Sequence, residues 1–210
     1  MSDELPAAVT DISAGDEHTC AVANSEVYCW GRGQYGRLGH GSAEDSIIPV
    51  KVDGLPSARS VSAGSQHSCA ITDGNLAYCW GRNTWGQLGI ESFSAGSNTA
   101  TEVLNLGTIQ NLTSGLSHTT CAVGTDDRAY CWGRNQFGQL GIGSTDDQNL
   151  PQWISTLGDD ANNIDFGNLH GCALLTNGQV ACWGRNGAKR LGDNQLGSDG
   201  FDRWLPVISP

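Results

Sequence analysis

The segment at residues 62–90, SAGSQHSCAITDGNLAYCWGRNTWGQLGI, determines the fold because related versions of it occur four times in the chain. Its central element is CWGR at residues 79–82, which follows HSC at 67–69 and precedes GQLG at 86–89. The CWGR element begins at residues 29, 79, 131 and 182. Copies are therefore spaced by about 50 residues, a period typical of repeat architectures.

Within one copy the pattern predicts β-structure throughout. Short apolar segments flank turn signals such as TDGN at 72–75 and Asn24-Ser25, which indicates a hairpin. A strand is expected before each hairpin, and IPVKV at 48–52 predicts another, placed at a sheet edge by its proline. No segment shows a sustained helical period. A sheet of about four strands cannot bury its own faces, so the copies must stack.

Radial stacking of such sheets gives a β-propeller, and about 40–50 residues suit one blade. We predict an all-β single repeat domain over residues 1–210, with four repeats at approximately 5–54, 55–105, 106–156 and 157–210. The first copy begins without the strand that precedes Leu55-Pro56, and the tail at 205–208 supplies one such strand. These complementary ends predict ring closure, as a four-bladed ring or as two chains joined head to tail. A piece of a longer protein is the third alternative.

The pattern AG, then HTC or HSC, then YCWGRN, then GQLG resembles the repeat of the regulator of chromosome condensation family, from Leu5 to about Gly192. Members of that family are β-propellers, usually seven-bladed, so four copies are fewer than usual. The resemblance implies protein-binding roles: eukaryotic members include a nucleotide exchange factor that docks on chromatin, and bacterial relatives include a secreted β-lactamase inhibitor. Neither activity carries over residue by residue, because the motif covers scaffold positions.

All eight cysteines occur as one pair per repeat. Counting outward from the turns places the members of each pair opposite one another on the hairpin, within disulfide range. The pairs are Cys20 with Cys29, Cys69 with Cys79, Cys121 with Cys131, and Cys172 with Cys182. Their spacing does not match zinc sites, so we expect four disulfides, with packed reduced thiols as the alternative. Bridges predict an extracellular or periplasmic location. The start, MSDELPAAV, shows no signal peptide, so a cytoplasmic location stays open.

The side chains that recur in the copies suggest both structural and ligand-binding roles. Each tryptophan of CWGR points to the face opposite its cysteine neighbour and predicts packing between blades. The histidines are expected to be structural, hydrogen-bonded to backbone; they are His18, His67, His118 and His170. The candidate ligand-binding residues are Arg32, Arg82, Arg134, Arg185, Tyr35, Trp85 and Phe137. We expect the arginines to stack on aromatic side chains of their own repeat. The alternative is that the four guanidinium groups form a ring around an anion near the propeller axis.

The composition and the absence of known motifs exclude several classes of function. A net charge of -11 argues against nucleic-acid partners, and no apolar run approaches the ~20 residues of a membrane span. No catalytic, cofactor or metal motif is recognisable, and the acidic segment Asp199–Asp202 lacks calcium-ligand spacing. We therefore expect a non-enzymatic interaction module without a cofactor, with an unidentified protein partner and possible self-association into a dimer. The alternatives are a carbohydrate-binding propeller and, by family analogy, a nucleotide-exchange or chromatin-docking protein, which the charge and disulfides disfavour.

Overall fold

A computed structural model of the chain describes residues 5–6, 8–187, 189–192 and 205–206. Within these residues, strands of consecutive chain segments form four antiparallel sheets of four strands each. The first two sheets contain β1 Val9–Ala14, β2 His18–Ala23, β3 Glu26–Gly31 and β4 Ser46–Lys51, then β5 Ala58–Ala63, β6 His67–Thr72, β7 Ala77–Arg82 and β8 Gly96–Glu102. The last two contain β9 Ile109–Ser114, β10 Thr119–Gly124, β11 Ala129–Gly133 and β12 Gln148–Trp153, then β13 Ala161–Phe166, β14 His170–Leu175, β15 Val180–Gly184 and β16 Leu205–Pro206. Short 3-10 helices span Gln34–Gly36 and Ser155–Leu157. The predicted all-β propeller architecture is confirmed.

The central hairpin of each sheet has the register that the turns predict. Asn24 and Ser25 both adopt positive φ, at 54° and 58°, which is the backbone geometry of a two-residue type I′ loop. This loop places Cys20 directly opposite Cys29, and the same register recurs in the other three hairpins.

Disulfides join all four predicted cysteine pairs. The S–S distances lie between 1.97 and 2.15 Å, and each bond links the two inner strands of one sheet. The bonded pairs are Cys20 with Cys29, Cys69 with Cys79, Cys121 with Cys131, and Cys172 with Cys182. The alternative of packed reduced thiols, considered for these residues from the sequence, is therefore excluded in this structure.

The outer strand of each sheet follows its own hairpin in the chain, so the sequence-based assignment of this strand to the next copy was wrong. The IPVKV strand, β4, pairs with β3 in the register Cys29↔Val50. It therefore belongs to the first sheet and not to the sheet of the second copy. The first sheet consequently lacks no strand. The terminal strand β16 pairs with β15 in its own sheet, through Cys182↔Leu205. Ring closure therefore does not depend on an exchange of strands and stays a prediction.

Successive sheets stack with one constant polarity. The face that carries a disulfide covers the tryptophan-bearing face of the next sheet; Cys20, Val22 and Val27 form one core cluster with Val61 and Trp80. The same arrangement joins the second sheet to the third and the third to the fourth. Trp80, Trp132 and Trp183 are at most 1% exposed. The predicted packing of tryptophan between blades is confirmed at these three interfaces.

Each interface is also held by polar contacts of matching geometry. The backbone N–H of Ala58, at the start of the second sheet, donates to the carbonyl of Ser25 in the preceding hairpin turn at 2.8 Å. Ile109 and Ala161 make the equivalent bonds to Asn75 and Asp127. Because these turn residues have positive φ, the hairpin turn presents a carbonyl to the neighbouring sheet. The sequence of each turn thus fixes both the hairpin and the interface.

The two ends of the stack remain uncovered. On the first sheet Ile12 is 62% exposed, and on the fourth sheet Leu174 is 41% exposed. The first and fourth sheets therefore do not cover one another in the part of the chain that the structure describes. In that part no helix is long and apolar enough to cross a membrane. The acidic segment Asp199–Asp202 lies outside the described residues.

Candidate functional site: an arginine–aromatic row

The candidate ligand-binding residues lie along one rim of the blades, where the first loop of each sheet meets the connector after its third strand. Backbone bonds join the two segments: the N–H of Arg32, Arg82 and Arg134 donates to the carbonyl of Glu17, Gln66 and His118, respectively. Each arginine therefore leaves its strand at a fixed position on the rim. The connector aromatic follows three residues later, at Tyr35, Trp85 and Phe137.

Buried polar residues hold the connectors in place. The side-chain oxygen of Asn83 accepts from the N–H of Leu88, and Gln87 accepts from the N–H of Trp85, both at 3.0 Å. Asn135 and Gln139 make the same bonds in the third sheet. Because the asparagines, glutamines and connector leucines are fully buried, the aromatic side chains are supported from below by rigid backbone.

The carbonyl groups of the connectors accept hydrogen bonds from the tryptophan side chains of the next sheet. Trp80 Nε1 donates to the carbonyl of Arg37 at 2.9 Å, and the Ser68 hydroxyl donates to the same oxygen at 3.1 Å. Since the Ser68 proton is used in this way, His18 Nε2 must be the donor to Ser68 Oγ at 2.7 Å. The next interface repeats the arrangement with Trp132, Gln87, Thr120 and His67. These histidines are structural, as predicted, but their partner is a hydroxyl of the next sheet and not backbone.

The arginines stack across the interfaces between blades. Their ring contacts run from each arginine to the aromatic of the preceding sheet's connector: Arg82 to Tyr35 at 4.7 Å, Arg134 to Trp85 at 5.2 Å and Arg185 to Phe137 at 4.9 Å. Stacking within one repeat, as predicted, is present for Arg82, whose guanidinium also lies 4.2 Å from the ring centroid of Trp85. These six residues form two groups of contacts, one that links Tyr35, Arg82, Trp85 and Arg134 and one that links Phe137 and Arg185, and we call the six together the arginine–aromatic row.

Trp85 is the centre of the row. Its ring contacts two guanidinium groups, those of Arg82 and Arg134, and is stacked against the imidazole of His118 at a centroid distance of 4.3 Å. Arg82 is oriented by Gln66 Oε1 and by Thr84 Oγ1, which accepts from its Nε at 2.9 Å. The indole is half-buried as a result. Cations on an aromatic ring are attracted to its negative face, so the geometry is stable without a carboxylate.

His118 occupies a different position from the other three histidines, contrary to the sequence prediction. Thr119 takes the strand position of His18 and His67, opposite Gly133, because SHTTC has one residue more between histidine and cysteine than the other copies. His118 is displaced to the rim with φ 65° and Nδ1 3.1 Å from Ser65 Oγ. Burial lowers the pKa of His118 to about 4, and the charges of Arg82 and Arg134 contribute. The imidazole is therefore neutral at pH 7.

In the first sheet the arginines of the rim form ion pairs with a carboxylate, unlike Arg82 and Arg134 in the second and third sheets. Glu17 accepts from Arg32 at 2.7 Å and from the fully buried Arg37 at 3.2 Å. Arg37 occupies the position that Gln87 and Gln139 have in the second and third connectors. The sequence shows this difference, but the ion pair with Glu17 was not predicted from it. No salt bridge joins Arg82 or Arg134 to a carboxylate among the residues that the structure describes. Two uncompensated guanidinium groups thus flank Trp85 in a chain of net charge -11.

The row has the chemistry of an anion-recognition surface. Guanidinium groups donate in a planar fork that matches carboxylates, and stacking on aromatics fixes their direction. The ring of Trp85, by contrast, is already in contact with Arg82, Arg134 and His118, which leaves little of its surface for a sugar. No group of three or more potential metal-ligating side chains comes together within the described ranges.

Comparison with known proteins identifies similar chains. The chain matches the Regulator of chromosome condensation (RCC1) repeat, with one profile over residues 9–37, 58–87, 109–139 and 162–188 and another over 24–71 and 126–174. It is 35% identical over 96% of its length to the Ultraviolet-B receptor UVR8 of Arabidopsis thaliana and 31% identical over 88% to the E3 ubiquitin-protein ligase HERC2 of Homo sapiens. The chain spans 46% and 4% of those two proteins.

Solved structures share the fold. Human WBSCR16 superimposes with a TM-score of 0.87 at 21% identity, covering 99% of this chain and 55% of that one. Yeast RCC1 (Prp20), solved bound to Kap60, gives a TM-score of 0.86 at 20% identity, over 98% of this chain and 50% of its own. At these identities the likeness concerns the fold alone.

Proposed function

The chain belongs to the RCC1 repeat family of propeller interaction scaffolds, and on that premise we propose that it is a non-enzymatic protein-binding module whose arginine–aromatic row recognises an acidic segment of a partner protein. The observation that carries the proposal is the pair of guanidinium groups at Trp85. Arg82 and Arg134 contact the same ring and have no carboxylate partner among the described residues. Clusters of arginine are a recurrent means of binding acidic motifs.

The electrostatics of the whole chain support a local site rather than a general attraction. With a net charge of -11, the protein repels an acidic peptide at distances where its charges act together. Attraction must then come from groups within a few ångströms of the ligand, where Arg82, Arg134 and the neutral His118 converge on Trp85. Arg82 is held in place by hydrogen bonds before any ligand arrives, which lowers the entropic cost of binding.

A fluorescence anisotropy titration with a labelled oligoglutamate peptide tests this function. Binding of oligoglutamate, weakening as salt is added, supports the proposal because non-specific electrostatics would act in the opposite direction. A labelled glycine–serine peptide of equal length is the control and is expected not to bind. Absence of oligoglutamate binding at low salt would contradict the proposal.

The other functions considered from the sequence lack a comparable observation. A carbohydrate site would need open aromatic faces, and Trp85 is covered by His118 and Arg82. The resemblance to yeast RCC1 at 20% identity carries the fold and not its binding partners. Four disulfides, three of them fully buried, are consistent with our proposal that the protein works in an oxidising compartment outside the cytosol.

A further inference from the structure

The loop between the first two strands of the third sheet differs from its counterparts. In each of the other sheets a backbone bond of 2.9–3.0 Å closes the loop, from a glycine to the histidine three residues later; the pairs are Gly15 and His18, Gly64 and His67, and Gly167 and His170. In the third sheet the N–H of Gly115 donates to the carbonyl of Thr119 at 2.7 Å. The third loop therefore contains three residues, Leu116, Ser117 and His118, where the others contain two.

In the first two sheets the last loop residue holds the rim arginine of its own sheet. The guanidinium of Arg32 donates to Glu17 at 2.7 Å, and that of Arg82 donates to Gln66. In both sheets the backbone N–H of the arginine donates to the carbonyl of the same loop residue. The guanidinium is therefore tied to the loop before any ligand arrives.

His118, the last residue of the third loop, gives the rim arginine no such acceptor. The backbone of Arg134 is fixed on both sides, because its N–H donates to the His118 carbonyl at 3.0 Å and its carbonyl accepts from Thr119 Oγ1 at 3.1 Å. The imidazole, however, is stacked on Trp85. Within the described part of the chain, the Arg134 guanidinium has a ring contact and no hydrogen-bond acceptor, so its N–H groups can receive a carboxylate.

The third loop also carries an apolar side chain at the surface. Leu116 is 48% exposed and occupies the position that Asp16, Ser65 and Asn168 have in the other loops. It precedes His118 by two residues, and two residues of chain span at most about 7 Å. Because the His118 carbonyl holds the backbone of Arg134, Leu116 and Arg134 belong to one short stretch of the rim.

We propose that the third loop adapts the arginine–aromatic row to a partner segment in which an acidic residue and an apolar residue lie close together. The carboxylate binds the unpaired guanidinium of Arg134, and the apolar side chain packs on Leu116. This inference rests on the proposed function and adds a second kind of contact to it. With a net charge of -11 the protein repels acidic ligands at long range, whereas burial of apolar surface does not depend on charge.

Two labelled octapeptides of equal charge test the inference by fluorescence anisotropy. Both contain the same glutamates, and one has a leucine where the other has a serine. The unmodified protein should bind the leucine peptide at least about threefold more tightly, because the contact with Leu116 removes apolar surface from water. Leu116→Ser should remove this preference and leave the affinity for the serine peptide unchanged.

Leu104→Ser is the matched control for Leu116→Ser. Leu104 is 41% exposed and follows Val103, whose N–H donates to the carbonyl of Ala77. Ala77 and Arg82 are the two ends of β7, so Leu104 lies at the end of the sheet opposite the row. The control variant should therefore keep the preference for the leucine peptide.

His118→Gln separates the two contacts. Glutamine offers Arg134 the acceptor that Gln66 offers Arg82, so the affinity for both peptides should fall by a similar factor while the preference for leucine persists. A His118→Gln variant that binds both peptides like the unmodified protein would overturn the assignment of the carboxylate to Arg134.

The two peptides also distinguish failure of this inference from failure of the proposed function. Equal affinity of the unmodified protein for both peptides would overturn the inference and leave the proposed function standing. A preference that survives Leu116→Ser would do the same. If neither peptide bound at low salt, the proposed function would fail together with the inference.

Discussion

The guanidinium of Arg134 lies 5.2 Å from the ring of Trp85, and the two residues belong to different sheets. The contact thus joins the third blade to the second at the surface, while Trp132 joins the same two blades in the core through its bond to the Gln87 carbonyl. The same interface therefore contains a buried tryptophan contact and the surface pair that we propose for ligand recognition. Binding at the row is expected to depend on the correct stacking of blades.

The surface contact should be measurable as a coupling free energy. In a double-mutant cycle of Arg134→Gln and Trp85→Leu, urea unfolding should give a coupling of about 0.5–1 kcal/mol, the range for a cation over an exposed aromatic ring. Arg59→Gln combined with Trp85→Leu is the control pair, because Arg59 interacts with Asn75 and not with the row. Equal coupling in both cycles would show that the Arg134 contact contributes nothing specific.

The ion pair of the first blade should respond to substitution asymmetrically. Glu17→Gln leaves the buried Arg37 guanidinium without its carboxylate and should lower the free energy of unfolding. Adding Arg37→Gln removes the buried charge and reproduces the Gln66 and Gln87 pair of the second blade. The double variant should therefore be more stable than Glu17→Gln alone in urea unfolding. A double variant that is less stable would refute this role of the pair.

The buried histidines should make stability depend on pH. Burial lowers the pKa of His18 to about 4 and that of His67 to about 3, below the ordinary value of 6.5. The unfolded chain then binds protons that the folded chain does not, so stability is full above pH 6.5 and falls as the pH decreases toward 4. Each histidine contributes a slope of at most about 1.4 kcal/mol per pH unit.

Urea unfolding between pH 7.5 and pH 5 measures this slope before most carboxylates titrate. His67→Gln keeps a donor toward Thr120 and removes one titrating group, so its stability should fall less over the same interval. Lys51→Gln, an exposed substitution on β4, serves as a control for general charge effects. An unchanged slope in His67→Gln would contradict this, because it would mean that His67 binds protons equally in the folded and the unfolded protein.

The disulfides should differ in their access to reductant. Intact mass should be lower than that of the fully reduced chain by about 8 Da, two hydrogens for each of four bridges. Cys172, in the fourth sheet, is half-buried, whereas the cysteines of the other three bridges, such as Cys121 and Cys131, are fully buried. Under native conditions, a low concentration of dithiothreitol should therefore open Cys172–Cys182 first. Peptide mapping after alkylation would contradict this if another bridge opened before it.

Local regularities of the sequence predicted most of the scaffold. Two-residue turns such as Asn24-Ser25 fix a hairpin register, so the pairing of Cys20 with Cys29 followed directly. The neighbour of Cys79 had to lie on the opposite face, which placed Trp80 between blades. These inferences needed only the alternation of side chains along a strand and the geometry of one turn.

Relations between repeats were harder to predict, because one copy does not show which side of its neighbour it meets. The polarity of stacking decides that Arg82 reaches back to Tyr35 and that His18 donates to Ser68. The displacement of His118 was visible as the extra residue in SHTTC, but the regular spacing of glycine and histidine concealed it. The location of the protein and the identity of its partner stay predictions.

We propose that Arg82 and Arg134 bind acidic ligands together, and the affinity of their double variant for oligoglutamate measures this role. Arg82→Gln/Arg134→Gln should weaken binding in the anisotropy titration by at least about tenfold, since charge-assisted hydrogen bonds contribute about 1.5–3 kcal/mol each. Arg59→Gln/Arg128→Gln removes the same charge outside the row, at residues that interact with Asn75 and Asp159, and should bind like the unmodified protein. Equal weakening in both double variants would show that net charge, and not the arginine–aromatic row, determines binding.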